Sequence, residues 1–200
     1  MSAGRSKGGR VFVISSPSGG GKTTVVDRLC QSLPRLVRSV SATTRSPRSG
    51  ERPGKDYQFV TVEAFTSVIR NKELLEWASV HEAYYGTPKA PVVSALKRGR
   101  DIILSIDVQG AQQIQRTLGR RAILIFLMPP SMEQLRKRLK QRKTDLPEAI
   151  RRRLATARRE MACASWYDHI VINDELDHAV AQVRAIIEGT RSKQVKRGKV

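Results

Sequence analysis

Two hundred residues, 40% of them hydrophobic, are enough for one ordinary domain with a real core, and a charged fraction of 28% excludes wholesale disorder. The longest apolar run, Ala122 to Met128, is far too short to span a bilayer. The net charge of +19 points to polyanionic partners such as nucleic acid, acidic surfaces or nucleoside phosphates.

In chain order, residues 1–9 are a basic tail, and the start "MSAGRSKGGR" with the short "VFVIS" lacks the apolar length and cleavage site of a signal peptide. "RVFVIS" (10–15) reads as a buried strand, and "KTTVVDRLCQSL" places apolar residues at helical spacing. Between them stands "SSPSGGGKTT" (15–24). A strand, a glycine turn and a helix are the setting a phosphate loop needs, and a flexible linker would not be bracketed this way. Consecutive glycines at 19–21 let backbone N–H groups curl round an anion at the positive end of the helix. Lys22 can reach β- and γ-phosphates, and the Thr23 hydroxyl can join a Mg²⁺ shell. The first glycine of the usual pattern is Ser16 here.

Residues 41–88 break the strand–helix rhythm and read as a small, mostly β insertion with one short helix near 63–70. "SVSATTRSPRSGE" sets Arg45 and Arg48 three apart, "GKDYQF" adds Tyr57, "LLEWAS" adds Glu76, and "AYYGT" adds Tyr85 and Thr87. Two guanidinium forks and two phenols can grip a phosphate dianion. A carboxylate between Leu75 and Trp77 is costly without a partner, and guanine's N1–H and 2-amino donors match its two oxygens. The same spacing also fits solvated Arg45 and Arg48, with Glu76 paired to one of them, so the residues alone leave both readings open.

Beyond the insertion, "DIILSIDV" (101–108), "AILIFLM" (122–128) and "HIVIND" (169–174) read as buried strands, separated by helical patterns over "QGAQQIQRTLG" and 131–165. A last helix over 174–189 gathers Leu176, Ala179, Val180, Val183, Ile186 and Ile187 on one face, with Gly189 as its stop and a basic tail over 191–200. Strands alternating with helices predict an α/β fold, a parallel sheet with helices on both faces. Residues 134–160 hold eleven Lys/Arg. Trp77 and Trp166 read as packing residues, and His81, His169 and His178 have no metal spacing. Cys30 and Cys163 read as reduced thiols.

The stretches "SSPSGGGKTT", "SVSATTRSPRSGE", "GKDYQF", "LEWASV", "YYGTPK", "IDVQGAQQI", "FLMPPSMEQLRKRL" and "IVIND" run in order from about residue 10 to 188. Together they resemble the guanylate kinase family, nucleoside monophosphate kinases acting on GMP. The resemblance implies a P-loop kinase core over 1–40 and 89–190 with a helical lid at about 134–160, and a GMP-binding insertion at 41–88. It implies that Ser16, Pro17, Ser18, Gly19, Gly20, Gly21, Lys22, Thr23 and Thr24 hold ATP phosphates, with Asn173 near the adenine. Arg45, Arg48, Tyr57 and Tyr85 would bind the GMP phosphate, and Ser41, Glu76, Thr87 and Asp107 the guanine. Arg138, Arg142 and Arg153 would close on the transferring group, so that Lys22, Arg45 and these three form the catalytic set. Mg²⁺ would accompany ATP, with Thr23 in its shell. Ser105 stands where the family usually carries an acid, which predicts a raised Mg²⁺ requirement, and Lys143 stands where glycine is usual, just ahead of Pro147.

The expected protein is a cytoplasmic ATP:GMP phosphotransferase of purine metabolism, with dGMP a second substrate, no membrane partner, and either a monomer or a homo-oligomer. Nucleic acid is not required, although the tails could hold polyanions weakly. Three rivals are a non-catalytic interaction module of the same fold, a nucleic-acid binder, and a kinase for AMP, UMP or CMP. The intact phosphate loop counts against the first, the concentration of charge in tails and lid against the second, and Glu76 with Ser41 against the third.

Overall fold

In the computed structural model, residues 8–80, 82–141 and 147–197 are described. Contacts group the chain into two compact units, Met1–Val13 with Pro34–Ile123 and Ile14–Leu33 with Leu124–Val200.

Among the described residues, nine strands form two sheets. One has five strands in the order β2-β7-β1-β8-β9, built from β1 (Val11–Ser15), β2 (Leu36–Arg38), β7 (Asp101–Ser105), β8 (Ala122–Met128) and β9 (His169–Ile172). β2 runs parallel to β7, and β8 parallel to β9. Val11 to Ser15 are all buried, as are Ala122 to Leu127, so these strands read as continuous apolar runs, the mark of a sheet covered on both faces.

In the first unit a second sheet takes the order β4-β3-β6-β5, from β3 (Ala42–Thr43), β4 (Gln58–Phe59), β5 (Leu74–Val80) and β6 (Ala83–Pro88). The helices here are α2 (Val62–Arg70), α3 (Lys89–Lys97) and α4 (Val108–Leu118). The Thr61 hydroxyl caps α2 by accepting from Ala64 N, and Phe65 on its inner face is buried. The insertion expected over 41–88 lies wholly within this unit because α4 packs on β5.

The second unit carries α1 (Lys22–Ser32), α5 (Met132–Gln141), α6 (Pro147–Ala162) and α7 (Leu176–Arg197). α1 packs on α7 through the face that buries Val25, Val26 and Leu29, and α7 also packs on β9. Leu135 and Leu139 of α5 close on Ile150 and Ala157 of α6, with Met132 and Leu154 at the edge.

Several expectations are corrected. The strand expected over 101–108 ends at Ser105, because the Asp107 carboxylate accepts from Gly110 N at 2.8 Å and starts α4 at Val108. The helical patterns expected over 131–165 are α5, α6 starting at Pro147, and a short 3₁₀ turn (Cys163–Trp166). Gly189 does not stop the last helix. An internal glycine costs a helix only about 1 kcal/mol, and Ala179, Val183 and Ile187 are already buried when the chain reaches it. The helix runs to Arg197, through most of the segment expected as a tail. Trp77 is 39% exposed and not a core residue, since β5 alternates and Glu76 takes the inward position. β2 and α3 had no counterpart in the sequence reading. His81, Arg142 and Lys143 lie outside the described residues, and Cys30 and Cys163 form no disulfide and are half-buried.

Candidate active site

The residues singled out by sequence fall into two groups, one in each unit.

In the second unit, β1 delivers the chain into the loop 16–21. Gly19 and Gly21 adopt φ of +87° and +89°, the left-handed region that glycine enters without a steric penalty. Gly20 N donates to Pro17 O at 2.8 Å, closing the turn. Ser16, buried where a glycine is usual, is accommodated by Gly20: a Cβ there would stand 2.6 Å from Ser16 Oγ. The glycine at 20 therefore supplies the room that a glycine at 16 would have supplied. Lys22 Nζ reaches back to Ser16 O at 3.0 Å, so the ammonium lies across the loop at the start of α1. Thr23 and Thr24 are exposed in the first helical turn.

Asn173 is 5% exposed, and its Nδ2 donates to Gly20 O at 2.6 Å. It follows β9, and its own N donates to Met128 O at 2.7 Å. Arg138 of α5 donates from Nη2 to Asn173 O at 2.8 Å and more weakly to Asp174 O at 3.3 Å. In this conformation Asn173 and Arg138 thus buttress the phosphate loop and the segment behind it. Arg153 is half-buried on α6.

In the first unit, β5 and β6 are antiparallel with Glu76 opposite Thr87, and a register shift between Leu74 and Glu76 marks a bulge. Such a bulge re-aims the residues that follow it. Glu76 then points inward, 4% exposed, and accepts a 2.5 Å hydrogen bond at Oε1 from the Thr87 hydroxyl. Oε2 lies against Gly110 of α4. Burial pushes the Glu76 carboxyl up to about 7 despite the Thr87 bond, and the Asp107 charge adds to the rise. Ser41 is half-buried beside β3, its carbonyl accepting from Gln58 N at 2.9 Å.

On the same sheet Arg45 donates from Nε to the Tyr85 hydroxyl at 3.1 Å and lies 5.3 Å from the centre of the Tyr57 ring. The two phenol rings meet edge to face at 6.0 Å. Arg45, Tyr57 and Tyr85 are thus brought together. Arg48 is joined to them through Glu51, a residue with no assigned role in the sequence reading. Glu51 takes both Arg45 Nη1 and Nη2 at 2.9 Å and also accepts from Arg48 N at 2.8 Å. The bond to Arg45 holds the Glu51 carboxyl below the usual range, and Glu51 in turn raises the guanidinium. The open alternative of solvated Arg45 and Arg48 with Glu76 bound to one of them is therefore wrong in both parts for Arg45 and Glu76. A signal for Glu51 was present in "RSPRSGE", a carboxylate one turn beyond two arginines.

A glycine turn between a strand and a helix thus stands in one unit, and a guanidinium–phenol cluster on the same sheet as a buried carboxylate stands in the other. A family model described as guanylate kinase matches residues 8–190. The chain belongs to the guanylate kinase family. It is 46% identical over 189 residues to the guanylate kinase of Bradyrhizobium diazoefficiens, covering 94% of this chain and 86% of that one. Against the guanylate kinase of Gloeobacter violaceus the identity is 48% over 178 residues, covering 89% and 86%. The crystal structure of guanylate kinase from Anaplasma phagocytophilum superposes with a TM-score of 0.78 at 34% identity, covering 92% of this chain and 87% of that one. The parallel sheet flanked by helices is the fold of this family, as the alternation of elements predicts.

Proposed function

We propose that this guanylate kinase family member transfers the γ-phosphoryl group of ATP to GMP, giving ADP and GDP. The observation that carries the reading is the buried Glu76 carboxylate, held by Thr87 in a chain that also builds a full phosphate loop. An ionised carboxylate accepts from guanine N1–H and the 2-amino group, and repels the acceptor at adenine N1. Ser41, Thr87 and Asp107 complete the base pocket, and Arg45, Arg48, Tyr57 and Tyr85 take the GMP phosphate.

The ATP phosphates lie in the 16–24 loop with Lys22 against the β- and γ-oxygens. Among the described residues no cluster of three or more His, Cys, Asp or Glu could hold a metal, whereas Thr23 is exposed at the head of α1. That donor set suits a Mg²⁺ that arrives on the nucleotide, with Thr23 joining its shell and the ion offsetting phosphate charge. The GMP phosphate is already ionised near neutral pH and attacks without a general base. Catalysis is then alignment and charge neutralisation, the task of Lys22, Arg45, Arg138, Arg142 and Arg153. For Arg138 this requires leaving the Asn173 carbonyl. None of the named groups reads a 2′-hydroxyl, which makes dGMP a second substrate. Two cysteines that form no disulfide are in keeping with a cytoplasmic enzyme of purine metabolism.

The test is ADP formation from Mg-ATP with GMP, dGMP, AMP, UMP and CMP in parallel. Turnover with GMP and dGMP and little with AMP is expected. Turnover with a different base overturns the Glu76 assignment, and GMP binding without turnover in any arm makes the chain an interaction module.

A further inference from the structure

We infer that Gly110 and Gln113 of α4 are positioning residues that set where the Glu76 carboxylate stands, and so tune discrimination between guanine and other bases. The inference rests on the reading of Glu76 as the base-recognising group.

A glycine inside a helix weakens it and calls for a reason. Gly110, in the first turn of α4, is buried, and the reason is steric. A Cβ on Gly110 would overlap Glu76 Oε2, stand 3.0 Å from the Glu76 carboxyl carbon and 3.3 Å from Ile106 Cδ1. The first two contacts are with the group proposed to bind the base. Any side chain at 110 must therefore push the carboxylate away from the position it now holds opposite Thr87.

Three residues further along the same helix face, Gln113 grips the strand itself. Its Nε2 donates to Trp77 O at 2.7 Å, and its Oε1 accepts from Trp77 N at 3.2 Å. Trp77 is the residue after Glu76 on β5, the edge of its sheet, whose outward backbone groups would otherwise be open to water. One amide thus replaces a missing neighbouring strand at the point where register matters. Asp107, Gly110 and Gln113, spaced by three, place an N-cap, a clearance and a clamp on one side of α4. Glu76 is located by the bulge and Thr87 on its own sheet and by α4 from outside. Its carboxylate has no room to follow a substrate of different shape.

The experiment measures GMP, IMP and AMP kinetics at saturating Mg-ATP for the full chain carrying Gly110→Ala, Gln113→Ala, Glu76→Gln, and Gly110→Ala with Glu76→Asp. IMP keeps N1–H and lacks the 2-amino group. Gly110→Ala is expected to raise KM for GMP about tenfold or more and to shrink the GMP-over-IMP ratio of kcat/KM, with kcat within about threefold and KM for Mg-ATP unchanged. The shorter carboxylate of Glu76→Asp makes room for the methyl and should return part of the lost ratio, which a merely structural defect would not do. Gln113→Ala, which removes two hydrogen bonds to Trp77 at a half-buried position, should raise KM for GMP about threefold to tenfold with the same pattern. Unchanged GMP kinetics in both single variants, or losses shared equally by GMP and ATP parameters without rescue, overturn the inference. If Glu76→Gln leaves GMP-over-AMP preference intact, the base-reading assignment itself fails. If it abolishes the preference while Gly110→Ala and Gln113→Ala change nothing, only the positioning inference fails.

Discussion

The loop at 16–21 and the pocket around Glu76 meet the same problem, holding a polar group in protein, with opposite materials. The loop offers backbone N–H donors, and half of its residues lack side chains, with glycines at 19, 20 and 21 after Ser16, Pro17 and Ser18. Its shape is written in φ angles and in bonds such as Asn173 Nδ2 to Gly20 O and Lys22 Nζ to Ser16 O. The pocket offers side chains: a carboxylate, a hydroxyl, two phenols and two guanidiniums, with Glu76 bonded to Thr87 and Arg45 to Glu51 and Tyr85. The loop can be recognised as a contiguous string and, as proposed, would suit any nucleoside triphosphate. The pocket is assembled across strands and, in the proposed function, would carry the selectivity.

The sharpest way to separate the two is to disable one and watch the other. Lys22→Met removes the ammonium that now lies on Ser16 O and would lie on the transferring phosphate. We expect kcat to fall about 10²–10³-fold, the scale for one electrostatic donor to a transition state, while the dissociation constant for GMP moves less than about threefold. Single-turnover kinetics and GMP titration by calorimetry check this. An equal loss in GMP affinity would break the comparison.

The next effect is acid dependence, and it belongs to the pocket alone. Burial raises Glu76 to about 7. Guanine needs the ionised form, so kcat/KM for GMP should fall about tenfold per pH unit below 7, while KM for Mg-ATP stays flat through that window. Stability runs the other way. Unfolded, the carboxyl titrates near about 4.3, so between there and about 7 the native state holds the extra proton. Its contribution is fully present below about 4.3 and is lost as pH rises through 7, on the order of 3 kcal/mol. Glu76→Gln should erase that slope in urea titrations at pH 5 and 8, along with base preference. On this reading the pocket would gain selectivity at a cost in stability; the loop at 16–21 has no titrating side chain.

This contrast also explains what the sequence made legible. The phosphate loop, the strand before it and the helix after it are local, and their pattern places β1 and α1 almost to the residue. The inward place of Glu76 follows from the oddity of a carboxylate among Leu75 and Trp77. Gln113, by contrast, is 36 residues from Trp77, and nothing in either residue announces the pairing. Gly110 reads as one more glycine in "VQGAQQ" until β5 is laid against α4. Trp77 was misread because apolar character predicts burial on average, while strand alternation decides it in the particular case. The helical stretch beyond Gly189 was hidden for a similar reason: glycine marks helix ends statistically, but a helix packed on α1 and β9 overrides a local preference of about 1 kcal/mol.

The smallest effect tests what holds the loop in shape. Asn173→Ala removes the 2.6 Å bond to Gly20 O and leaves a buried carbonyl without that donor. It also removes the amide that a Cβ on Gly21 would meet at 2.6 Å, so the loop gains freedom on that side. A lost hydrogen bond of this kind costs about 1–2 kcal/mol. If the bond persists with ATP bound, part of that cost is paid in both states and KM for Mg-ATP should rise only about threefold to fivefold, with GMP binding untouched. If the buttress were instead mainly a fold element, the loss would surface in thermal unfolding and leave KM for Mg-ATP where it was. A rise in KM with little change in melting temperature would show that the loop depends on a side-chain brace, narrowing the distance between the two halves of the comparison: even the backbone-built site then leans on one residue that arrives from far along the chain.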